Sequence, residues 1–382
     1  MRIAWSKARQ IARDVANPLE CGPVGLGAAL GCALAAPLQS RAPQPICDIA
    51  AMDGYAVAGS GPWTVLGRVL AGDAAIAPLR SGQAAEIGTG AEVPTGTDAV
   101  IPFERSVRTG DEVSATPTGR AHIRRRGEDF GAGEILLPTG TVVTPSVVGL
   151  TAGVGNDVLD VHRRPRVGVA VTGNELLFSG PPMAGMVRDA IGPMLPGIIA
   201  EAGGATSAYQ HLPDRQDAMA DALATADGEV IAVCGATSAG TADHLRATLR
   251  ACRADIVIDG VACRPGHPQL LAVLPDGHFV VGLPGNPYAA LVAALTLLGP
   301  LLGTLAGRRP AKVITSVFGD GKPPTPHPRD TTLIAAVRDG GTIKRVGHDR
   351  PGSLWAPAAA DVLAVLPPDS GSTEVEVLPL PG

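Results

Sequence analysis

Residues 166–176 read Arg-Val-Gly-Val-Ala-Val-Thr-Gly-Asn-Glu-Leu, an apolar run that stops at a polar loop containing glycine. The run Val167–Val171 is typical of a strand buried on both faces of a parallel sheet. Similar runs follow at Val230–Val233, Ile256–Ile258 and Phe279–Val281. Helical patterns alternate with these runs, at Met194–Ala202, Ala218–Ala226, Ala242–Cys252 and Ala289–Leu302. This alternation predicts a doubly wound α/β domain, which we place at residues 161–306.

Three loops follow the predicted strands, at 172–175 (Thr-Gly-Asn-Glu), 234–243 (Cys-Gly-Ala-Thr-Ser-Ala-Gly-Thr-Ala-Asp) and 283–287 (Leu-Pro-Gly-Asn-Pro). In open α/β sheets ligands bind outside the carboxyl ends of the strands, and glycine-rich loops before helices favour phosphate or another oxyanion. Glu175 and Asp243 end the first two loops, and at one rim their carboxylates can hold Mg²⁺ that bridges phosphates. The alternative is that each carboxylate caps a helix or faces water.

The flanking regions have a different character. Residues 1–160 contain short β-type runs separated by glycine and proline, such as Trp63–Leu70, Ala99–Ile101 and Val142–Val143, and only about the first 35 residues have a helical pattern. After Gly307 further short runs predict a small β domain at 307–382. The chain is therefore expected to have three parts, with boundaries near residues 160 and 306.

Composition excludes several classes of protein. With 382 residues, 45% hydrophobic and 18% charged, the chain is expected to be globular. A net charge of −5 and 3% aromatic residues argue against a nucleic-acid partner. Six cysteines without a CxxC pair, and no visible export signal, indicate a cytoplasmic protein with free thiols. The uncharged stretch from Tyr288 to Gly307 is interrupted by Gly-Pro, so it predicts a buried core helix and no membrane span.

Three segments of the first region carry polar residues in glycine-containing contexts. Residues 52–57 read Met-Asp-Gly-Tyr-Ala-Val, which taken alone fits a hairpin turn. Thr89-Gly90 and the turn-rich stretch Pro94–Val100 are equally ambiguous. Residues 124–129 read Arg-Arg-Arg-Gly-Glu-Asp, which fits either a site or a self-paired, solvated surface.

Taken in order, the segments of this chain resemble the molybdopterin molybdenumtransferase family, which includes the MoeA proteins and the E domain of gephyrin. The resemblance runs from about residue 5 to the C-terminus. Seven pieces carry it in the family's order: Ala51–Val57, Thr89-Gly90 through Asp98–Val100, Arg124–Asp129, Thr172–Leu176, Ser238 with Gly240 and Ala242-Asp243, Arg264–Gly266 with Pro268, and Gly282–Pro287.

The resemblance implies a fold, a reaction and partners. The family's reaction inserts molybdate into adenylylated molybdopterin and releases AMP, with Mg²⁺ assisting. A homodimer is implied, in which a β-rich lid domain (roughly residues 55–130, inserted in an N-terminal linking region) covers the α/β domain of the other subunit. A MoeA/MogA-like central domain and a small C-terminal β-barrel-like domain are implied as well. Other proteins of molybdenum cofactor biosynthesis are candidate partners.

Site residues also follow from the resemblance. Catalytic roles are implied for Asp53, Thr89, Asp129, Glu175, Asp214 and Asp243, with Glu175 and Asp243 binding metal or orienting water. Contacts to the pterin nucleotide are implied for Thr172, Gly173, Asp189, Gly235, Ser238, Gly240, Pro284, Gly285, Asn286 and Pro287. Molybdate binding is implied for Arg264, His267, Arg329 and Ser353.

The chain departs from the family pattern at four places. The usual Ser-Gly-Gly is Cys234-Gly-Ala, Lys-Pro-Gly-Lys-Pro is Arg264-Pro-Gly-His-Pro, the serine after the last loop is Ala289, and Tyr-Asp-Ser-Asn is Arg188-Asp-Ala-Ile. Molybdate would therefore meet less positive charge. These departures leave open a catalytically weak carrier of the cofactor. The related pterin adenylyltransferase is a third alternative, which does not need the lid or the β tail.

Overall fold

The structure is a computed structural model that describes residues 2–74, 76–116, 119–235, 237, 244–319, 321, 323–368 and 372–381. Three large sheets organise these residues. One lies in the first region of the chain, one in the central region, and the third joins the C-terminal strands to two strands from earlier in the chain.

The first region, up to residue 162, contains mostly short strands. Its helices are α1 (Trp5–Asp14), α2 (Leu26–Ala29), a 3-10 turn (Phe103–Arg105) and α3 (Pro145–Gly153). Its strands are β1 (Ile3–Ala4), β2 (Cys21–Gly25), β3 (Ala33–Leu34), β4 (Leu38–Gln39), β5 (Ile49–Ala50), β6 (Gly54–Ala58), β7 (Trp63–Val69), β8 (Gln83–Ile87), β9 (Ala99–Pro102), β10 (Ser106–Thr109), β11 (Glu112–Ala115), β12 (Ile123–Arg124), β13 (Ile135–Leu137) and β14 (Val158–His162).

Strands β6 to β11 form one six-stranded sheet in the order β10-β11-β7-β8-β6-β9. Every residue of β6 is buried, because this strand lies between β8 and β9 and has small or apolar side chains on both faces. The two faces of the sheet pack into separate hydrophobic clusters. Two-stranded ribbons, β5 with β12 and β4 with β13, lead from this sheet toward the three-stranded sheet β2-β14-β3.

The helical assignment of the first region is partly wrong. Residues 21–25 (Cys-Gly-Pro-Val-Gly) form β2, because proline and glycine disfavour a helix and the segment pairs with β14. A helix was not expected at α3, where Thr144 caps the first turn by accepting a hydrogen bond from the Val147 N–H and proline occupies the first helical position. The expected strand at Val142–Val143 is reduced to a single bridge between Val142 and Ala33.

The central region has the predicted α/β alternation. Its strands are β15 (Arg166–Thr172), β16 (Leu176–Leu177), β17 (Val187–Arg188), β18 (Ala205–Leu212), β19 (Val230–Cys234), β20 (Asp255–Asp259), β21 (Val261–Arg264), β22 (Leu270–Val273) and β23 (Phe279–Leu283). Its helices are α4 (Ile191–Glu201), α5 (Gln216–Ala224), α6 (His244–Ala251), α7 (Pro287–Ala293), a π-helical turn (Ala294–Leu298) and α8 (Gly299–Leu305).

The central sheet has the order β18-β15-β19-β23-β22-β20. Its first four strands run parallel, and helices cover both faces: α1, α4, α7 and α8 on one, α5 and α6 on the other. The predicted doubly wound α/β arrangement is confirmed for this part. Strand β22 was not predicted, and it makes the far edge antiparallel because it forms a hairpin with β23.

The apolar stretch near residue 290 is a core helix, as predicted. Residues Pro287–Leu305 form one 19-residue helix that is long and apolar enough to cross a membrane, and 72% of it is buried inside the protein. At its centre the indole Nε1 of Trp5 donates a 3.0 Å hydrogen bond to Thr296 Oγ1. The helix thus joins α1 to the central sheet.

The C-terminal region contains β24 (Ile314–Val317), β25 (Thr331–Asp339), β26 (Thr342–Arg345), α9 (Trp355–Ala358), β27 (Val362–Leu366) and β28 (Glu374–Pro379). These strands and two earlier ones form a sheet in the order β1-β21-β25-β27-β28-β24, with β26 also on β25. A bridge between Phe318 and Ile343 links the end of β24 to β26. Strand β21 carries the start of the Arg-Pro-Gly-His-Pro loop from the central region into this sheet.

Candidate active site

The three loops after β15, β19 and β23 are in contact at the carboxyl edge of the central sheet. The Thr172 hydroxyl donates to the Cys234 carbonyl at 3.0 Å, and the Gly235 N–H donates to the Leu283 carbonyl at 3.1 Å. Gly235 has a φ of +102°, and a Cβ there would lie 2.7 Å from both Thr172 O and Oγ1. A Cβ on Gly285 would lie 3.4 Å from Gly235 Cα. The backbone groups of these loops are therefore held close together.

Acidic and amide side chains join the loops after β15 and β18. The Asn174 N–H donates to Asp214 Oδ2 at 3.1 Å, and the Asp214 N–H donates to Asn174 Oδ1 at 3.3 Å. Glu175 is exposed, and its Oε2 lies 2.8 Å from the position that a Cβ on Gly173 would take. His211 Nε2 donates to the Gly173 carbonyl at 2.8 Å. The structure thus brings Glu175 and Asp214 to adjacent loops.

A divalent cation fits the donor chemistry of this edge only in part. Glu175 and Asp214 offer carboxylate oxygens, the ligands that Mg²⁺ prefers. Within the described ranges, no group of three or more histidine, cysteine or acidic residues could hold a metal ion. Such an edge suits Mg²⁺ held by one or two carboxylates together with substrate phosphates. The predicted residues Ser238, Gly240 and Asp243 lie outside the described residues.

Asp189 is buried at the N-terminus of α4, and both oxygens of its carboxylate accept hydrogen bonds from other groups of the protein. Oδ1 accepts hydrogen bonds from the N–H groups of Ile191 at 2.9 Å and Gly192 at 3.1 Å. Oδ2 accepts from the Tyr209 hydroxyl at 2.7 Å. Burial and the Asp189 carboxylate raise the pKa of Tyr209, so this phenol stays protonated and its ring is fixed.

Three of the four predicted molybdate residues, Arg264, His267 and Ser353, come from loops around the N-terminus of α7. Gly266, in the Arg-Pro-Gly-His-Pro loop, has a φ of +96°, and a Cβ there would lie 2.8 Å from the Ala289 carbonyl. From the other side, the Pro351 carbonyl accepts hydrogen bonds from the N–H groups of Tyr288 at 2.9 Å and Ala289 at 3.3 Å. The loops that carry Arg264, His267 and Ser353 therefore pack against the same helix start.

A buried acid that the sequence did not single out lies among these residues. Asp330 is 2% exposed, and its Oδ2 lies 3.3 Å from Arg264 Nε, while its Oδ1 lies 3.4 Å from a guanidinium nitrogen of Arg2. Arg329, one residue earlier, is exposed. Burial lowers the pKa of His267, and the charges of Arg2 and Arg264 lower it further. At neutral pH the imidazole therefore adds little positive charge to this group.

Two separated motifs of the first region meet at Asp53. Its Oδ1 accepts hydrogen bonds from the Thr89 N–H at 2.6 Å and from the Thr89 hydroxyl at 2.8 Å. These two bonds lower the pKa of Asp53, which is fully ionised at neutral pH. Both side chains are exposed. The sequence proposed each residue separately, and the structure places them in direct contact.

The arginine-rich run Arg124–Arg126 of the first region is paired with acids. Arg124 forms an ion pair with Asp129. Arg125 pairs with Asp48 at 2.6 Å, and its N–H donates to Glu128 at 2.7 Å. This is the pairing expected of a self-paired, solvated surface, although β12 also holds the run beside β5 and hence near Asp53.

Two groups of predicted site residues come from different parts of the chain. We define the lid cluster as Asp53, Thr89 and Asp129, and the sheet-edge cluster as Thr172–Glu175, Asp214, Gly235 and Pro284–Pro287. Among the hydrogen bonds and ion pairs between described residues, none joins the two clusters.

Comparisons with known proteins agree with this architecture. Residues 3–155 match the family model described as the MoeA N-terminal region (domain I and II), and residues 168–304 match the model described as a probable molybdopterin binding domain. The chain belongs to the MoeA family, and the predicted resemblance is confirmed.

Three relatives illustrate the relationship. The chain is 36% identical over 304 residues to molybdopterin molybdenumtransferase 2 of Mycobacterium tuberculosis, covering 74% of this chain and 73% of that protein. It is 30% identical over 389 residues to the molybdopterin molybdenumtransferase of a Nostoc species, covering 94% and 88%. A crystal structure of the molybdopterin biosynthesis MoeA protein of Pyrococcus horikoshii superposes with a TM-score of 0.76 at 26% identity, covering 100% of both chains. The predicted fold, with its mixed α/β sheets, is that of MoeA.

Proposed function

We propose that this protein inserts molybdate into adenylylated molybdopterin and releases AMP in molybdenum cofactor biosynthesis. The observation that carries the proposal is the sheet-edge cluster, where three glycine-containing loops are packed together beside exposed Glu175. The names of the relatives support it, and the coverage of most of both chains favours the enzyme over the adenylyltransferase alternative.

The sheet-edge cluster is suited to a phosphoanhydride. Thr172, Gly235 and Gly285 keep the backbone of the three loops close together at the rim, where Gly235 and Gly285 carry no side chain and so allow a phosphate group to approach the backbone. Release of AMP requires water to attack a phosphorus atom and the phosphoanhydride bond to break. Positioning and charge neutralisation provide most of the rate in such reactions. In the proposal, Glu175 and Asp243 hold Mg²⁺, which neutralises phosphate charge when bound.

Molybdate is assigned to the loops around the N-terminus of α7. Arg264 and Arg329 supply positive charge and Ser353 supplies a hydroxyl, whereas the N–H groups of Tyr288 and Ala289 at the start of α7 donate to the Pro351 carbonyl. Asp330 orients Arg264 through a 3.3 Å ion pair and at the same time offsets part of its charge. The departures at His267 and Ala289 are compatible with a functional but weaker oxyanion site, because the loop positions are retained.

We also propose a homodimer in which the lid cluster of one copy faces the sheet-edge cluster of the other; in support, no hydrogen bond or ion pair between described residues joins the two clusters within one chain. Mixing two inactive variants tests this arrangement. A Thr89→Ala chain keeps an intact sheet edge, and a Glu175→Gln chain keeps an intact lid. Random exchange in a two-fold dimer should restore about a quarter of wild-type activity if the clusters act across subunits. No recovery, with exchange verified by two affinity tags, would place both clusters of a site in one chain.

The activity itself is tested by AMP release from adenylylated molybdopterin, with and without molybdate and Mg²⁺. We expect both to stimulate release and Glu175→Gln to abolish the stimulation. Glu112→Gln, an exposed acid on β11, is the matched control and should leave release unchanged. If wild-type protein binds the nucleotide without hydrolysing it under any of these conditions, the carrier alternative replaces the enzyme.

The proposal also places the protein in the cytoplasm. All six cysteines are free, including the buried Cys32, Cys234 and Cys263. Free thiols of this kind persist in a reducing compartment.

A further inference from the structure

A group of charged side chains lies where β1, β21 and β25 meet, and one of them, Arg2, has no role in the proposed chemistry so far. The buried carboxylate of Asp330 is at its centre. Its Oδ2 lies 3.3 Å from Arg264 Nε, and its Oδ1 lies 3.4 Å from a guanidinium nitrogen of Arg2. Oδ1 accepts no hydrogen bond within the described part of the chain. Arg2 is therefore the group that balances this side of the carboxylate.

The sheet register brings Arg2 to the face that carries the other charges. Strand β1 runs parallel to β21, and β21 runs parallel to β25. In this register Arg2, Arg264 and Asp330 share one face, because side chains two residues apart in a strand point to the same side. A Cβ on Gly260 would lie 3.3 Å from Arg2 Cγ and 3.7 Å from the His267 carbonyl oxygen. The stem of Arg2 thus packs over this glycine, beside the loop that carries His267.

The charges of these groups show why Arg2 matters. The carboxylate of Asp330 offsets the guanidinium of Arg264 through their ion pair. Burial lowers the pKa of His267, and the charge of Arg2 lowers it further, so the imidazole is neutral at pH 7. Asp330, Arg264 and His267 together therefore carry no net charge. Arg2 adds a positive charge that nothing within this group cancels.

We propose that Arg2 supplies the net positive charge beside the Arg-Pro-Gly-His-Pro loop, contacts the molybdate there, and so replaces the charge missing at position 267. The proposal rests on the proposed function for the identity of the anion. Molybdate is a dianion, and a guanidinium carries several N–H donors that suit an oxyanion. The side chains of Arg2 and Arg264 are 42% and 60% exposed, so each keeps N–H groups available beyond its pair with Asp330.

Direct binding tests this role without requiring turnover. The affinity of the full-length protein for molybdate is measured by isothermal titration calorimetry at pH 7 and low ionic strength. Loss of a charged hydrogen-bond donor in Arg2→Ala should weaken molybdate binding about tenfold. Arg2→Lys, which keeps the charge, should recover most of the affinity. Arg166→Ala is the matched control, because Arg166 is 49% exposed and paired with Asp227 at the start of β15, the end of the strand opposite the site. It should leave the affinity unchanged.

Two further measurements distinguish a contact with the anion from a purely structural role. Perrhenate has the tetrahedral shape of molybdate but one negative charge, so its Coulomb attraction to Arg2 is about half as large. A tenfold loss for molybdate should therefore become about a threefold loss for perrhenate. Adding His267→Lys to Arg2→Ala should restore molybdate binding, because it returns a cation beside the same loop. A purely structural loss would be equal for both anions and would not be recovered by a cation at position 267.

The outcomes separate this proposal from the proposed function. Unchanged molybdate affinity of Arg2→Ala, or equal losses for molybdate and perrhenate, overturns the role of Arg2 even if the enzyme releases AMP normally. A wild type that binds no molybdate overturns it as well. A larger loss for molybdate that His267→Lys recovers supports it, even if the wild type never releases AMP. Thermal unfolding verifies each fold, and Arg2→Gln, which keeps a donor for Asp330 but no charge, replaces Arg2→Ala if that variant unfolds, with the same losses expected.

Discussion

Replacing Gly235 by alanine should both strain the backbone and open the sheet-edge cluster. The residue has a φ of +102°, a conformation that costs an L-residue about 1–2 kcal/mol. The added Cβ would also lie 2.7 Å from Thr172 O and Oγ1, closer than real Cβ atoms approach other atoms. Overpacking of this kind costs about 1–3 kcal/mol. We therefore expect Gly235→Ala to lower the free energy of unfolding by about 2–5 kcal/mol.

Gly277 provides a matched control, because it has a φ of +92° but no atom within 4 Å of the position of its Cβ. Gly277→Ala should therefore show the backbone cost alone, about 1–2 kcal/mol. Urea unfolding of both variants gives the two free energies, and AMP release gives the effect on the site. We expect AMP release to fall at least tenfold for Gly235→Ala, because Thr172 must move, and to stay near wild type for Gly277→Ala.

Equal free energies of unfolding for the two variants would show that the contact between Gly235 and Thr172 is not tight. Normal AMP release by a folded Gly235→Ala protein would refute the claim that the packed loops form the site.

Three further predictions concern the charged groups. Thr89→Ala should raise the pKa of Asp53 part of the way toward its ordinary value of about 3.9, because it removes the hydroxyl hydrogen bond, whereas the backbone N–H of residue 89, the larger cause of the lowering, still donates; a carboxyl ¹³C titration checks this, and the stabilisation is present above the ordinary pKa and lost as the pH falls through the lowered one. Asp330→Asn should lower the free energy of unfolding by about 1–3 kcal/mol and raise the KM for molybdate through loss of the Arg264 anchor; an unchanged urea midpoint would contradict it. His267→Lys should lower the KM for molybdate at pH 7 and remove the gain in affinity that we expect of the wild type on acidification, whereas identical pH profiles would show that the imidazole does not face the anion.

The central sheet could be predicted because each of its main strands is indicated by one short stretch of sequence. Val167–Val171 is apolar over a strand length and is followed at once by a glycine loop, so strand, direction and loop position follow from one stretch. Strand β22 could not be recognised from the sequence, because Leu270–Val273 is only four residues long. Its antiparallel pairing with β23 is set by the turn at Asp276-Gly277. The helical expectation for residues 21–25 ignored the pairing partner β14, which lies more than a hundred residues later.

The site residues, too, could be named where a local motif marks them, but their contacts depend on residues far away in the sequence. Motif residues such as Asp53 and Thr89 could be named from the family pattern, but their direct hydrogen bonds join positions 36 residues apart. Asp330 gave no signal, because a single aspartate before two threonines is ordinary, and its importance arises only where β1, β21 and β25 bring Arg2 and Arg264 together. Asp189 could be named as a site residue from the sequence. Its hydrogen bond from the Tyr209 hydroxyl could not be predicted, because Tyr209 lies on a different strand, β18.

The most direct test of the central claim is a single-turnover experiment with excess enzyme, limiting adenylylated molybdopterin, Mg²⁺ and molybdate. AMP and the molybdenum bound to the pterin product are quantified in the same samples over time. The account predicts that one molybdenum atom is incorporated for each AMP released, with the same rate constant, and that Glu175→Gln abolishes both. AMP release without incorporation, or a nucleotide that stays intact on the enzyme, would contradict it.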